Sequence, residues 1–408
     1  MIPVHLLRPD AEAEAALADW SERASSGDLS VVLEITRAVN RLRALFAKFN
    51  IPFLSLPITT PKDTALNVFI QMNTSATPLS AYDIVVAQVE AGTEISLHDL
   101  VADLKSNAQQ VEAYVKPSDL MLSVSALLQL KAPTRSSFLS KGFSDGLVKS
   151  WEITKAGIKK AIQFLEQERI FDGKRLPTDV IVAPLAALWG ISPRGLDAEG
   201  EARILLRKYL WRACFTERYE RTSATRALAD FRGLKAVLEG RTDAQPPIFN
   251  EQDWQLPLIE QFISAGWPTL KDRLPRAIIC LSLRGGGDDL ADGSPATREH
   301  LAEREYHHLF PVARLKQQGR ENREIYKALN CALVTWKTNR NISAKTPERY
   351  LAERREGTSL GEEEVRRRLE SHLVPYDQLI TSDYEDFLLA RATKMHAVMV
   401  RLCSGDSM

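Results

Sequence analysis

The sequence predicts an α+β protein that is predominantly α-helical, with a helical middle domain followed by a domain in which two strands precede a helix. Three observations carry this reading. Apolar residues step by three and four through most of the first 245 positions. Only three short segments have strand character, at 51–56, 306–310 and 331–336. The last two lie close together, and helical spacing resumes after Thr346. With 408 residues, 44 % of them hydrophobic, the chain is long enough for about two or three domains with a core in each.

The elements follow in order. Val32, Ile35, Val39, Leu42, Phe46 and Phe49 share one helical face, so 29–49 reads as a helix that Asn50 stops. IPFLSL (51–56) reads as a single strand, and 63–72 resumes helical spacing. Pro78, Ser80 and Asp83 mark the next turn and helix start. Ser118 is placed to cap a helix beginning at Asp119, and from there to about Leu234 nearly every segment has helical period. Segments 147–167, 184–189 and 202–215 belong to it, the last with Trp211 toward the core. QPPIF (245–249) reads as a linker. RGGGDDLADGSPAT (284–297) reads as a flexible surface loop, because a phosphate-cradling turn would need a following Lys and Ser or Thr opening a helix. These breaks divide the chain into 1–105, 106–245 and 246–408.

The 53 Lys and Arg balance 53 Asp and Glu, which rules out a uniformly basic coat. The balance hides a local excess. Residues 303–355 hold 12 Lys or Arg against 6 Glu, a net +6, which leaves −6 for the rest. Positive charge in one window suits a phosphate-rich partner, since neutralised phosphates supply most sequence-independent affinity for DNA; the plain alternative is a solvated face. The first ten residues lack the charged lead and apolar run of a secretory signal, and no apolar stretch nears the ~20 residues that span a bilayer. Cys214, Cys280, Cys331 and Cys403 are too widely spaced for a zinc ribbon or a disulfide framework. Together these predict a cytoplasmic protein with core thiols.

Three of seven histidines, His300, His307 and His308, lie within nine residues. Neighbours in a strand point to opposite faces, so in YHHLFP one imidazole can reach a metal while the other holds a water; the alternative is a hydrogen-bonded or solvated pair. His300 lies on a polar stretch and reads as solvated. Arg218, Tyr219 and Arg221 in TERYER read either as phosphate contacts or as a solvated helix end. Tyr306 and Trp336 read as base-stacking residues or as core.

YHHLFP, then Asn330 before an apolar strand, then Asn339 in TNRNISAKTP, resembles the His, Asn and third-ligand order of an HNH nuclease, the ββα-metal fold. The likeness extends further. Residues 278–311, 371–392, LPTDVIVAPLAALW (176–189), 206–230 and VFIQMNTSATPLSAYDI (68–84) resemble GmrSD-type restriction endonucleases, with Ala76 where that family commonly has Gly. The resemblance implies a metal-dependent DNA endonuclease of a modification-dependent restriction or phage-defence system, its ββα-metal domain embedded in helices at 246–408. It implies His308 as general base, Asn330 as the residue that fixes the loop and orients it, and His307 and Asn339 as ligands of one divalent cation. Asn341 competes with Asn339, and the spacing to Ser343 and Pro347 favours Asn339. Lys337, Arg340 and Lys345 are the expected DNA contacts.

Few protein ligands suit Mg²⁺, with Mn²⁺ or a softer ion as alternatives because His307 stands where many such motifs have Asp. The family begins with a ParB-like nucleotide-binding domain carrying DGQQR, and no such string occurs in these 408 residues. The expectation is therefore a chain that enters partway, with 1–105 a remnant of that domain and the NTPase half lost or supplied by a partner. The competing expectation is a non-catalytic DNA-binding or regulatory subunit, or a fragment idle without its NTPase half.

Overall fold

A computed structural model describes residues 2–8, 10–48, 55–60, 64–65, 68, 81–92, 95–193, 195–269, 272–335, 345–357, 361–381 and 383–407. The chain divides into two compact units, 1–75 and 76–408. It is 66 % helix and 3 % strand, so the predominantly helical class expected from the apolar periodicity is the observed one.

In the first unit the helices Ala11–Ala24 and Leu29–Ala47 are each opened by an aspartate. Asp10 accepts from the Ala13 N–H and Asp28 from the Ser30 N–H, each at 2.8 Å, satisfying amides that a helix start leaves unpaired. Leu6, Leu17 and Val39 form the small core. The buried Arg43 guanidinium crosses it to the carbonyls of Leu6 at 2.7 Å and Ala13 at 2.9 Å. Val39 of the anticipated apolar face is thus buried, whereas Phe46 is 60 % exposed. The strand read at 51–56, the helix at 63–72 and the turn at Pro78 and Ser80 lie wholly or largely outside the described residues.

The main core of the second unit runs from Tyr82 to Cys403. Its centre is the pair Trp151–Gln167 and Val182–Ile191, which cross at glycine: a Cβ on Gly157 would lie 2.1 Å from the Ala186 carbonyl oxygen. The C-terminal helix Tyr384–Ser404 returns to pack on Leu196–Phe215, so the end of the chain shares a core with its middle. Trp211 is fully buried there, as its position on the helix predicts. All four cysteines are free and buried. Among the described residues no helix is long and apolar enough to cross a membrane.

Several local expectations need correction. The helix expected from Asp119 starts at Pro117, whose fixed φ suits a first helical position, and Ser118 is buried inside it rather than capping it. The segment 147–167 is two helices, Phe143–Lys149 and Trp151–Gln167, broken where Ser150 turns its hydroxyl back to the Gly146 carbonyl at 2.8 Å. QPPIF is not a linker. Ile248 is fully buried, its N–H donates to Asp230 Oδ1 at 3.1 Å, and its carbonyl accepts from Arg212 Nε at 3.1 Å. Arg218 and Tyr219 are neither phosphate contacts nor a solvated helix end. Arg218 makes two 2.9 Å bonds to the buried Asp230 carboxylate, and the Tyr219 hydroxyl adds a third at 2.7 Å.

Two antiparallel strands, β1 (Arg304–His308) and β2 (Cys331–Thr335), pair with Tyr306 opposite Leu333, His307 opposite Ala332 and His308 opposite Cys331. β1 lies two residues earlier than 306–310, because Pro311 and the turn at Leu309 and Phe310 end it. Burial on both faces explains why β2 reads as a continuous apolar run. Ala332 and Val334 join the main core, while Leu333 joins Phe171, Leu283, Ala296 and Leu301 on the other side, with Tyr306 packed against them. The next described helix is Pro347–Gly357, whose Tyr350 hydroxyl donates to the Leu309 carbonyl at 3.3 Å.

The segment 284–297, expected to be a flexible surface loop, is instead packed beneath this hairpin. Asp289 and Ala296 are fully buried. Composition signalled a turn; burial follows because neighbouring arginines use its carbonyls. Arg304, itself buried at the start of β1, donates to the carbonyls of Gly287 and Ser294, and Arg368 donates to those of Leu290 and Ala291.

Candidate functional site

The turn that leaves β1 is held by one side chain. Asn330, fully buried just before β2, accepts from the Phe310 N–H through Oδ1 at 2.8 Å and donates from Nδ2 to the carbonyls of Phe310 at 3.1 Å and Ile325 at 3.2 Å. Its own carbonyl accepts from the Leu309 N–H at 2.9 Å. The two residues after His308 are therefore clamped, which fixes where β1 ends.

At that end stand His307 and His308. Each is half-buried, and in each the Nε2 atom is shut off from solvent with no hydrogen-bond partner among the described residues. Burial pushes both imidazoles down to about 4. For His308 the proximity of His307 adds to the effect, while Glu305 opposes it for His307. Both rings are thus neutral at pH 7, the form in which an imidazole binds a metal or accepts a proton. A buried polar nitrogen without a partner is costly, and such an atom calls for a ligand or a reacting group to explain it.

The surroundings of His308 are aromatic. Its ring stacks on Trp267, with centroids 4.1 Å apart and planes 20° apart, and meets Tyr326 edge-on at 4.9 Å and 87°. Trp267 and Tyr326 also contact each other at 5.6 Å. Two backbone links bring these distant residues together: Gly266 pairs with Lys327 in an isolated antiparallel bridge, and the Ala328 N–H donates to the Ala265 carbonyl at 3.1 Å. Beside Gly266 opens a cleft of about 560 Å³ whose lining includes Thr178, Arg273 and Arg276. Sequence reasoning missed Trp267 and Tyr326, since neither has a spacing relation to YHHLFP.

Of the other anticipated residues, Asn339, Lys337, Arg340, Asn341 and Trp336 lie outside the described residues. Lys345 is half-buried and paired with Glu353 at 2.5 Å. Other charges in the +6 window are engaged as well: Arg304 is buried, Arg320 pairs with Glu385, and Arg349 pairs with Glu353. Arg314 and Lys316 stay exposed on the helix Val312–Gln317 that follows the histidines. His300 is half-buried and its Nδ1 hydrogen-bonds the Pro295 carbonyl at 3.0 Å, so it is not simply solvated.

For a divalent cation, the available donor is the neutral Nε2 of His307, without a partner among the described residues, a borderline ligand that fits Zn²⁺ and other softer ions better than Mg²⁺. Among the described residues no group of three His, Cys, Asp or Glu converges on one point. The chain matches no family model and no curated protein sequence.

Proposed function

We propose that this chain is a metal-dependent DNA endonuclease of the HNH kind, similar to GmrSD-type restriction enzymes and acting in phage defence. The observation that carries the reading is the adjacent pair of half-buried, neutral imidazoles, each with a shielded Nε2 that has no partner among the described residues, at a strand end clamped by Asn330. In this reading His308 accepts the proton of a water as the water oxygen attacks phosphorus. The P–O bond to one sugar then breaks and the leaving oxygen takes a proton from solvent, so that a phosphomonoester and a free hydroxyl remain. His307, with Asn339, would hold a divalent cation, which when bound offsets charge on the phosphoryl oxygens. Arg314 and Lys316 on the adjoining helix offer phosphate contacts, joined in this reading by Lys337 and Arg340, and by Lys345 where it exchanges Glu353 for a phosphate.

Plasmid nicking with Mg²⁺ or Mn²⁺ tests the assignment. His308→Ala should abolish cleavage while the circular-dichroism spectrum and melting temperature stay near wild type; equal cleavage by the variant sinks it. A second reading, a DNA-binding subunit that does not cut, draws on the depression of both imidazoles to about 4, which leaves His308 a weak base. DNA binding without Mn²⁺ binding by calorimetry, and without nicking, would select it.

A further inference from the structure

General bases are usually aimed by a hydrogen bond from the second ring nitrogen to a carboxylate or carbonyl. His308 is held differently. One face of its ring lies on the Trp267 indole at 4.1 Å, and the Tyr326 ring stands perpendicular to it at 4.9 Å. The two walls are themselves in contact and are tied by the Gly266–Lys327 bridge on either side of the histidine. A third aromatic, Tyr306, meets Trp267 edge-on at 6.4 Å and backs it from β1. An imidazole in such a slot keeps its χ1 and its ring plane, because turning the ring out of plane drives it into one wall or off the other.

We propose that Trp267 and Tyr326 are positioning residues for His308, forming an aromatic slot that fixes the plane of the imidazole and so the direction in which its ring nitrogen meets the attacking water. The proposal rests on the nuclease reading above and adds the means by which its base is oriented. The slot does by stacking what a hydrogen-bonded carboxylate does elsewhere, because offset-stacked and edge-to-face aromatic contacts are favoured beyond their burial. Catalytic groups need to be held to within roughly 10–20° and half an ångström of the productive geometry.

The test compares wild type with Trp267→Leu, Trp267→Phe and Tyr326→Leu in Mn²⁺-dependent plasmid nicking, resolving kcat from KM. Trp267→Leu should lower kcat by about 10- to 100-fold with KM within about twofold, the range expected when a catalytic group is misplaced by ~1 Å. Trp267→Phe, which keeps a flat wall, should recover most of that loss. Tyr326, 38 % exposed, can be replaced with little risk to the fold, and Tyr326→Leu should lower kcat in the same sense.

Full kcat in Trp267→Leu, a loss carried by KM, or no advantage of Phe over Leu would overturn the proposal. An activity-free reading accompanies it. In protein with carbon-13-labelled histidine, the His308 ring resonance, assigned by its absence in His308→Ala, should be shifted upfield by the indole and move back toward the free-histidine position in Trp267→Leu. An unmoved resonance overturns the slot whatever the activity. A wild type that fails to nick DNA while that resonance shifts overturns the nuclease reading instead.

Discussion

The carboxylate of Asp289 accepts the backbone N–H of Thr335 at 2.6 Å, so a loop 46 residues upstream closes the end of β2. Its other oxygen accepts from the Ala291 N–H at 2.8 Å, and the whole side chain is buried. Removing it leaves these two amides, and that of Asp292 at 3.3 Å, without their acceptor. Asp289→Ala should therefore destabilise the fold by about 2–4 kcal/mol, whereas Asp289→Asn, which keeps one acceptor, should lose less. Thermal melts of the two variants give the comparison, and equal melting temperatures would remove Asp289 from the hairpin's support.

The crossing of Trp151–Gln167 with Val182–Ile191 depends on Gly157. A methyl there would meet the Ala186 carbonyl oxygen at 2.1 Å and the Gly190 Cα at 2.9 Å, both backbone atoms that move only if a helix moves. The general helix preference for alanine over glycine, ~1 kcal/mol, is outweighed. Gly157→Ala should cost about 1–3 kcal/mol through overpacking, seen as a lower urea midpoint. A gain in stability would mean that the two helices part easily.

These cases show what was legible in the sequence. Helical spacing located most helices, and the strand character of 306–310 and 331–336 located the hairpin to within two residues, because each is a local pattern; the part given to Asn330 came only from the resemblance. What stayed hidden was long-range. Gly and Asp in 284–297 marked a turn, yet nothing in that composition reveals that Arg304 and Arg368 bury it. QPPIF looked like a linker because its partners, Arg212 and Asp230, lie 36 and 18 residues away from Ile248. Trp267 reaches His308 only through the pairing of Gly266 with Lys327.

Arg218 and Asp230 form a buried ion pair, and Asp230 also takes the Tyr219 hydroxyl and the Ile248 N–H. Removing one partner strands the other charge away from water. Arg218→Met should cost about 3–5 kcal/mol, and adding Asp230→Leu should return part of that loss, because the stranded carboxylate is gone. A double-mutant cycle by urea unfolding measures the return. If the double variant falls by the simple sum of the singles, the two side chains are not coupled.

Stability should also fall in mild acid, and His372 explains why. It is fully buried, and its Nε2–H donates to the Asp288 carbonyl at 2.8 Å. Burial pushes its imidazole down to about 4, the hydrogen bond to Asp288 opposes this, and the charges of Arg304 and Arg391 lower it further against Asp289. In the unfolded chain the same ring titrates near 6.5. Between these values the unfolded chain binds a proton that the folded one refuses, so stability is full above about pH 6.5 and declines as pH falls toward about 4. The loss from this residue alone is on the order of 3 kcal/mol. His307 and His308 shift in the same direction and steepen the decline. Urea midpoints at pH 7.5, 5.5 and 4.5 should trace it, and His372→Gln, which keeps an N–H for Asp288 but does not titrate, should flatten the slope. An unchanged slope in that variant would show that His372 is protonated in the fold.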